Sequence, residues 1–122
     1  MPGPVALPEP VPDGAPFAAT EAQGHLPQEQ IQRIVRERFD VFRECYDDGL
    51  RRNPYLEGRV SVRFVIDRQG RVPLAEPTAD TNLPAPSVVA CVVKGYRSLT
   101  FPKPVGGIVT VIYPMFFTPG DD

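Results

Sequence analysis

Cys45 and Cys91 are the residues whose type most directly invites chemistry. They lie 46 positions apart with no histidine near either, so they do not supply the four ligands of a zinc site. What remains is a disulfide or two buried thiols acting as small apolar groups. If bonded, they close a loop worth roughly 4 kcal/mol on a chain-entropy estimate. The single histidine, His25, sits beside Gly24 in a stretch without apolar periodicity, where no firm element holds it as a general base. Asp47 and Asp48 are adjacent, hence about 100° apart around a helix, which suits solvated surface charges and not a pair sharing a proton or a metal. Gly106-Gly107 has neither the strand-to-helix setting nor the lysine of a phosphate loop and reads as a turn. The expectation is a chain with no catalytic, cofactor or metal site and no small-molecule substrate.

The elements that must carry these residues are legible in the spacing of apolar positions. From Leu26, the residues Ile31, Ile34, Val35, Phe42, Cys45 and Tyr46 recur at three- and four-residue intervals with Arg33, Arg36, Glu37, Asp40, Arg43, Glu44 and Asp47 opposite them. This predicts one amphipathic helix of about 25 residues, opened by Pro27 and closed by Gly49 and Asn53-Pro54. Arg38 alone conflicts, falling inside the apolar stripe, where it must snorkel or find a partner. Val60, Val62, Phe64 and Ile66 then alternate with Arg59, Ser61, Arg63 and Val65, the period of a strand with one buried face. Asp67-Arg68-Gln69-Gly70 is a hairpin turn, and residues 71–76 are the returning strand. A second helix follows from Pro86, with Val88, Cys91, Val92, Tyr96 and Leu99 on one face. The β-branched and aromatic run from Ile108 to Phe117 is a third strand.

Helix, strand, strand, helix, strand is an α+β order: a three-stranded antiparallel sheet with two helices on one face. Pro73 and Pro114 cannot donate to a ladder, so the second and third strands are expected at the edges and the first in the middle, giving the order 2-1-3. Both cysteines would then face the same sheet surface.

The chain has 122 residues, room for one domain, and carries a net charge of −2, which gives no electrostatic reason to expect nucleic acid. Of its 16 prolines, seven fall in the first 27 positions. Residues 1–26 therefore read as a Pro-rich flexible linker, 27–119 as the domain and 120–122 as a disordered tail. The Pro-rich start without an apolar targeting run reads as a soluble piece of a longer protein.

The motifs Ile34-Val35-Arg36, Arg43-Glu44-Cys45-Tyr46, Asn53-Pro54, Leu56-Glu57-Gly58-Arg59-Val60 and Gly70-Arg71-Val72 resemble the AgmX/PglI C-terminal domain family, a branch of the TonB C-terminal-like domains. Ala90-Cys91-Val92, Phe101-Pro102-Lys103-Pro104, Gly106-Gly107 and Tyr113-Pro114 continue the likeness, which spans about residues 28–119. The chain departs from the family pattern at Ser98-Leu99-Thr100, where Trp and Arg are usual, and at Leu83-Pro84-Ala85-Pro86-Ser87. The resemblance implies the TonB-like α-β-β-α-β fold in the periplasm, on a Pro-rich spacer anchored in the inner membrane, within energy-transducing or gliding-motility machinery. That oxidising compartment implies a Cys45–Cys91 disulfide. It also implies that the edge Ile108, Val109, Thr110, Val111, Ile112, Tyr113 takes up an extended peptide of an outer-membrane protein by β-augmentation. Two further uses are weighed from the residues themselves. Arg59 and Arg63, on the polar side of the first strand, form a solvated face or meet an acidic partner. In an assembly role, the edge or that face would pair two copies as a homodimer within an envelope complex.

Overall fold

A computed structural model describes residues 5–8, 18–20 and 24–119. Its elements are β1 (Val5–Pro8), β2 (Ala18–Thr20), α1 (Gln28–Glu37), α2 (Phe39–Arg52), β3 (Gly58–Ile66), β4 (Leu74–Pro77), α3 (Pro86–Arg97) and β5 (Val109–Thr118). The three strands expected from the alternation are β3, β4 and β5, antiparallel and ordered β4-β3-β5, so the α+β class and the 2-1-3 order hold.

The single long helix is corrected to two. Arg38 leaves the helical region at φ −108° and ψ 22°, and α2 restarts at Phe39. A straight continuation would have put its guanidinium into the apolar stripe; the break leaves Arg38 exposed while Val35 and Phe42 on either side stay fully buried. The hairpin forms as its sequence dictates. Asp67 Oδ1 accepts from the amides of Gln69 (3.0 Å) and Arg71 (2.8 Å), and Gly70 takes φ +87° with its α-carbon so close to the Phe101 carbonyl that a side chain has no room.

The core lies between the helices and one face of the sheet. Val60, Val62, Phe64 and Ile66 of β3 and Val109, Val111, Tyr113, Met115 and Phe117 of β5 face it, all essentially buried. Tyr96 is its aromatic hub, with ring centres 4.8 Å from Phe42, 5.0 Å from Phe64 and 6.3 Å from Tyr113. Gly95 lets α3 approach α2 closely, since a β-carbon there would meet the Phe42 ring at 2.9 Å. That approach brings the cysteines within bonding reach.

Two further strands enlarge the sheet. β1 and β2, both inside the stretch expected to be a flexible linker, pair antiparallel with β5 on the side away from β3. The rest of that linker (1–4, 9–17, 21–23) and the tail 120–122 lie outside the described residues.

Candidate functional site

The hydrogen-bonding of β3 determines what β5 offers to anything beyond it. Arg59 O accepts from the amides of Asn82 (2.9 Å) and Leu83 (3.1 Å), Ser61 O from Thr78 (2.8 Å), and the Ser61 amide donates to Thr81 Oγ1 (2.9 Å). These backbone groups point away from β5. In an antiparallel ladder, two opposed residues either exchange both bonds or both face outward. Phe116 and Pro114, opposite Arg59 and Ser61, therefore turn their main-chain groups away from β3, and with period two so do Ile112 and Thr110. The Gly24 amide bonds to Ile108 O at 2.9 Å on this same outer side.

The outer side of β5 is thus a row of peptide groups at 108, 110, 112, 114, 116 and 118, interrupted at Pro114, the one position without a donor. The N-terminal strands occupy it on both sides of that interruption. β1 pairs Val5 to Pro8 with Thr118 to Met115, and β2 pairs Ala18 to Thr20 with Ile112 to Thr110. Only Tyr113 and Pro114 separate the two paired stretches of β5, whereas residues 9–17 separate β1 from β2. Farther on, His25 and Val105 exchange backbone bonds of 2.7 and 3.0 Å, and Gly24 lies against Gly107 so tightly that a β-carbon would sit 2.1 Å from its carbonyl oxygen.

Ile108, Val109, Thr110, Val111, Ile112 and Tyr113 were expected to form an unpaired edge ending at Pro114. That edge is corrected: Thr110, Val111 and Ile112 pair with β2, because the N-terminal segment runs back along β5. Pro114 does not mark the edge of the sheet; it divides an inner strand's outer flank. Nor does Pro73 lie within the second strand, which begins at Leu74. The β4 edge is blunted differently. Pro77 sits opposite Val62 at a register where its missing amide would point outward, and Arg97 of α3 donates to Ala75 O at 3.2 Å.

Cys45 and Cys91 form a disulfide with α-carbons 5.7 Å apart, linking α2 to α3. Cys45 is buried, as its place on the apolar stripe requires, but Cys91 is exposed. It lies at a groove of about 360 Å³ lined by Val41, Glu44, Asp48 and Lys94 among others. The expected polar face is internally satisfied. Arg63 pairs with Glu76 at 2.9 Å and Arg59 with Asp80 at 3.7 Å, and a Thr78 hydroxyl bond, helped by Arg59, lowers the Asp80 pKa. Both pairs are well exposed and contribute little, typically under about 1 kcal/mol.

The other chemical residues are not gathered into one site. The His25 side chain is exposed. Asp48 pairs with Arg51 and Arg52, both at 3.1 Å, while Asp47 Oδ1 points into a buried position without a hydrogen-bond partner among the described residues. Among the described residues, no group of three or more His, Cys, Asp or Glu side chains is placed to hold a metal, and no helix is long and apolar enough to cross a membrane. Three tyrosines are shifted upward. Burial, with the charges of Glu57 and Asp47, pushes Tyr46 up to about 12; burial takes Tyr113 to about 12 and Tyr96 well above the usual phenol value. These shifts reflect core packing: Tyr46 OH donates to Leu56 O, and the Tyr96 OH is buried with no partner among the described residues.

Sequence reasoning missed β1, β2 and the Gly24–Gly107 contact. The signal was faint: Val5-Ala6-Leu7 and Ala18-Ala19-Thr20 are short proline-free runs within a Pro-rich stretch. Compared with protein-family models, with curated proteins and with solved structures, the chain matches none.

Proposed function

We propose that this chain is a non-catalytic interaction module whose β5 flank takes up an extended segment of another protein by β-augmentation. The observation that carries the reading is the outward row of peptide groups at Ile108, Thr110 and Ile112, already paired with extended backbone from the chain's own N-terminus. Main-chain bonding of this kind needs no cofactor. In this reading the domain works in the periplasm as the end of an inner-membrane-anchored parent protein, and its partner is an envelope protein, in keeping with the TonB-like motifs. The Cys45–Cys91 disulfide is compatible with an oxidising compartment. Energy transduction or gliding motility would be the task of the whole machine, with this domain as its contact.

Because Arg59 and Arg63 already have carboxylate partners, electrostatic capture of an acidic protein is the weaker use of that face. The test is an amide-shift titration with extended peptides drawn from outer-membrane proteins. Shifts concentrated at Thr110 and Ile112 are expected; the absence of binding by every such peptide, including to a chain whose N-terminal pairing has been broken, overturns the reading.

A further inference from the structure

We propose that β2 with the Gly24–His25 clasp is a built-in competitor on β5, a strap that an incoming strand must displace at Thr110–Ile112. The proposal rests on the β-augmentation reading and adds its regulation. The strap and a partner strand would need the same main-chain groups, the outward amides and carbonyls of Thr110 and Ile112 and the carbonyl of Ile108, so the two cannot bind together.

Three features make the strap displaceable. Among the described residues its pairing at this site covers three registers, Ala18–Thr20 against Ile112–Thr110. Pro114, lacking a donor on the outer flank, offers no amide bond to couple the β2 registers to the β1 registers, so β2 opens without taking β1 with it. Finally, the strap is held at its far end by the His25–Val105 backbone pair and by Gly24 lying on Gly107, a contact that only a residue without a β-carbon can make. It is thus tethered next to the site at both ends and returns when a partner leaves. A site open only one-tenth of the time shows an apparent Kd raised about tenfold.

Register supplies matched variants of the full chain. Thr20 lies opposite Thr110 at a bonded register, so Thr20→Pro deletes a donor to β5. Ala19 lies opposite Val111, whose main-chain groups face β3; the Ala19 amide points away from β5, and Ala19→Pro serves as the control. Gly24→Val breaks the clasp, including the Gly24 amide's bond to Ile108 O, and leaves the groups of Thr110 and Ile112 unaltered. The probe is a synthetic peptide of residues 16–26 of this chain, added in trans, with amide hydrogen exchange read in parallel. The Thr20→Pro and Gly24→Val chains are expected to bind the peptide about tenfold more tightly than the wild type. Their Thr110 and Ile112 amides should exchange correspondingly faster, while Val111 and Tyr113 keep wild-type protection and report an intact fold; Ala19→Pro should match the wild type. Equal affinities across the set, or Thr110 and Ile112 exchanging as fast in the wild type as in Thr20→Pro, overturn the proposal. Sedimentation must show a monomer, since a dimer dissolved by Thr20→Pro would assign the strap to a second copy and refute the intramolecular device. If the strap peptide binds the opened chain and no envelope peptide does, the competitor stands and the docking reading falls. If envelope peptides bind wild type and Thr20→Pro equally, the reverse holds.

Discussion

The two flanks of β5 are held by different physics. Toward β3 the pairing runs unbroken through nine registers, from Gly58–Phe117 to Ile66–Val109, and every second residue on both strands sends an apolar side chain into the core. Toward the N-terminus it comes, among the described residues, as four registers and three, on either side of Pro114. A net hydrogen bond contributes about 1 kcal/mol, while ordering each backbone residue costs about 1–2 kcal/mol, so main-chain bonding by itself leaves a short ladder near balance. The β3 flank gains in addition about 25 cal/mol for each Å² of apolar surface it buries. One flank belongs to the core; the other is where the proposed exchange would occur.

The largest effect should come from breaking the core side. Phe64 is fully buried between Tyr96 and Phe101, so Phe64→Ala should cost about 3–5 kcal/mol in urea denaturation. Thr20→Pro, on the other flank of the same sheet, should cost within about 1 kcal/mol by the same measurement. Comparable losses would erase the distinction. Next in size is the covalent tie that lies outside both flanks. Reducing Cys45–Cys91 should lower global stability by roughly 4 kcal/mol, seen as a fall in Tm, and should leave the ratio of Thr110 to Val111 amide protection unchanged wherever the domain remains folded.

Two buried tyrosines sharpen the core side of the comparison. Tyr46→Phe removes the donor to Leu56 O and should destabilise by about 1–2 kcal/mol, whereas Tyr96→Phe removes a phenol oxygen without a partner among the described residues and should be neutral or stabilising by up to about 1 kcal/mol. A lowered urea midpoint for Tyr46→Phe beside an unchanged or raised one for Tyr96→Phe would show that hydrogen-bond satisfaction, and not ring packing, separates them; equal losses would refute it. The same tyrosines set a pH dependence. Tyr46 and Tyr113 are raised from 10.0 to about 12, so the unfolded chain releases these protons first. Their stabilising contribution is whole below pH 10 and is lost as pH rises through about 12. Tyr46→Phe should flatten the fall in stability across that window, and an unchanged slope would refute its part in it.

Much of the fold was legible because its elements are coded locally. Alternation from Val60 to Ile66 and the Asp67–Gly70 turn need only neighbouring residues, and both formed as read. Arg38 was legible as a conflict, though not as a break, since a charged residue in an apolar stripe has several remedies and packing selects among them. The site was half legible. The run from Ile108 to Tyr113 marked the strand, but its outer flank depends on which register bonds across to β3, and that is set by where Ser61 and Arg59 send their backbone groups. The same holds for Cys91: helical spacing put it on the face with Tyr96, and the way α3 lies on α2 left it exposed.

The sequence by itself determined the α+β order and the capacity of Cys45 and Cys91 to meet, because hydrophobic period and turn chemistry are properties of short windows; proline's missing donor pointed to the right strand order, but Pro114 and Pro73 do not mark its edges. Tertiary structure alone decided that two short runs of the Pro-rich N-terminus pair with β5, that Pro114 falls between them and that Gly24 clasps Gly107. Those outcomes depend on backbone groups brought together from distant parts of the chain, and a peptide group carries no mark in the sequence of which way it will face.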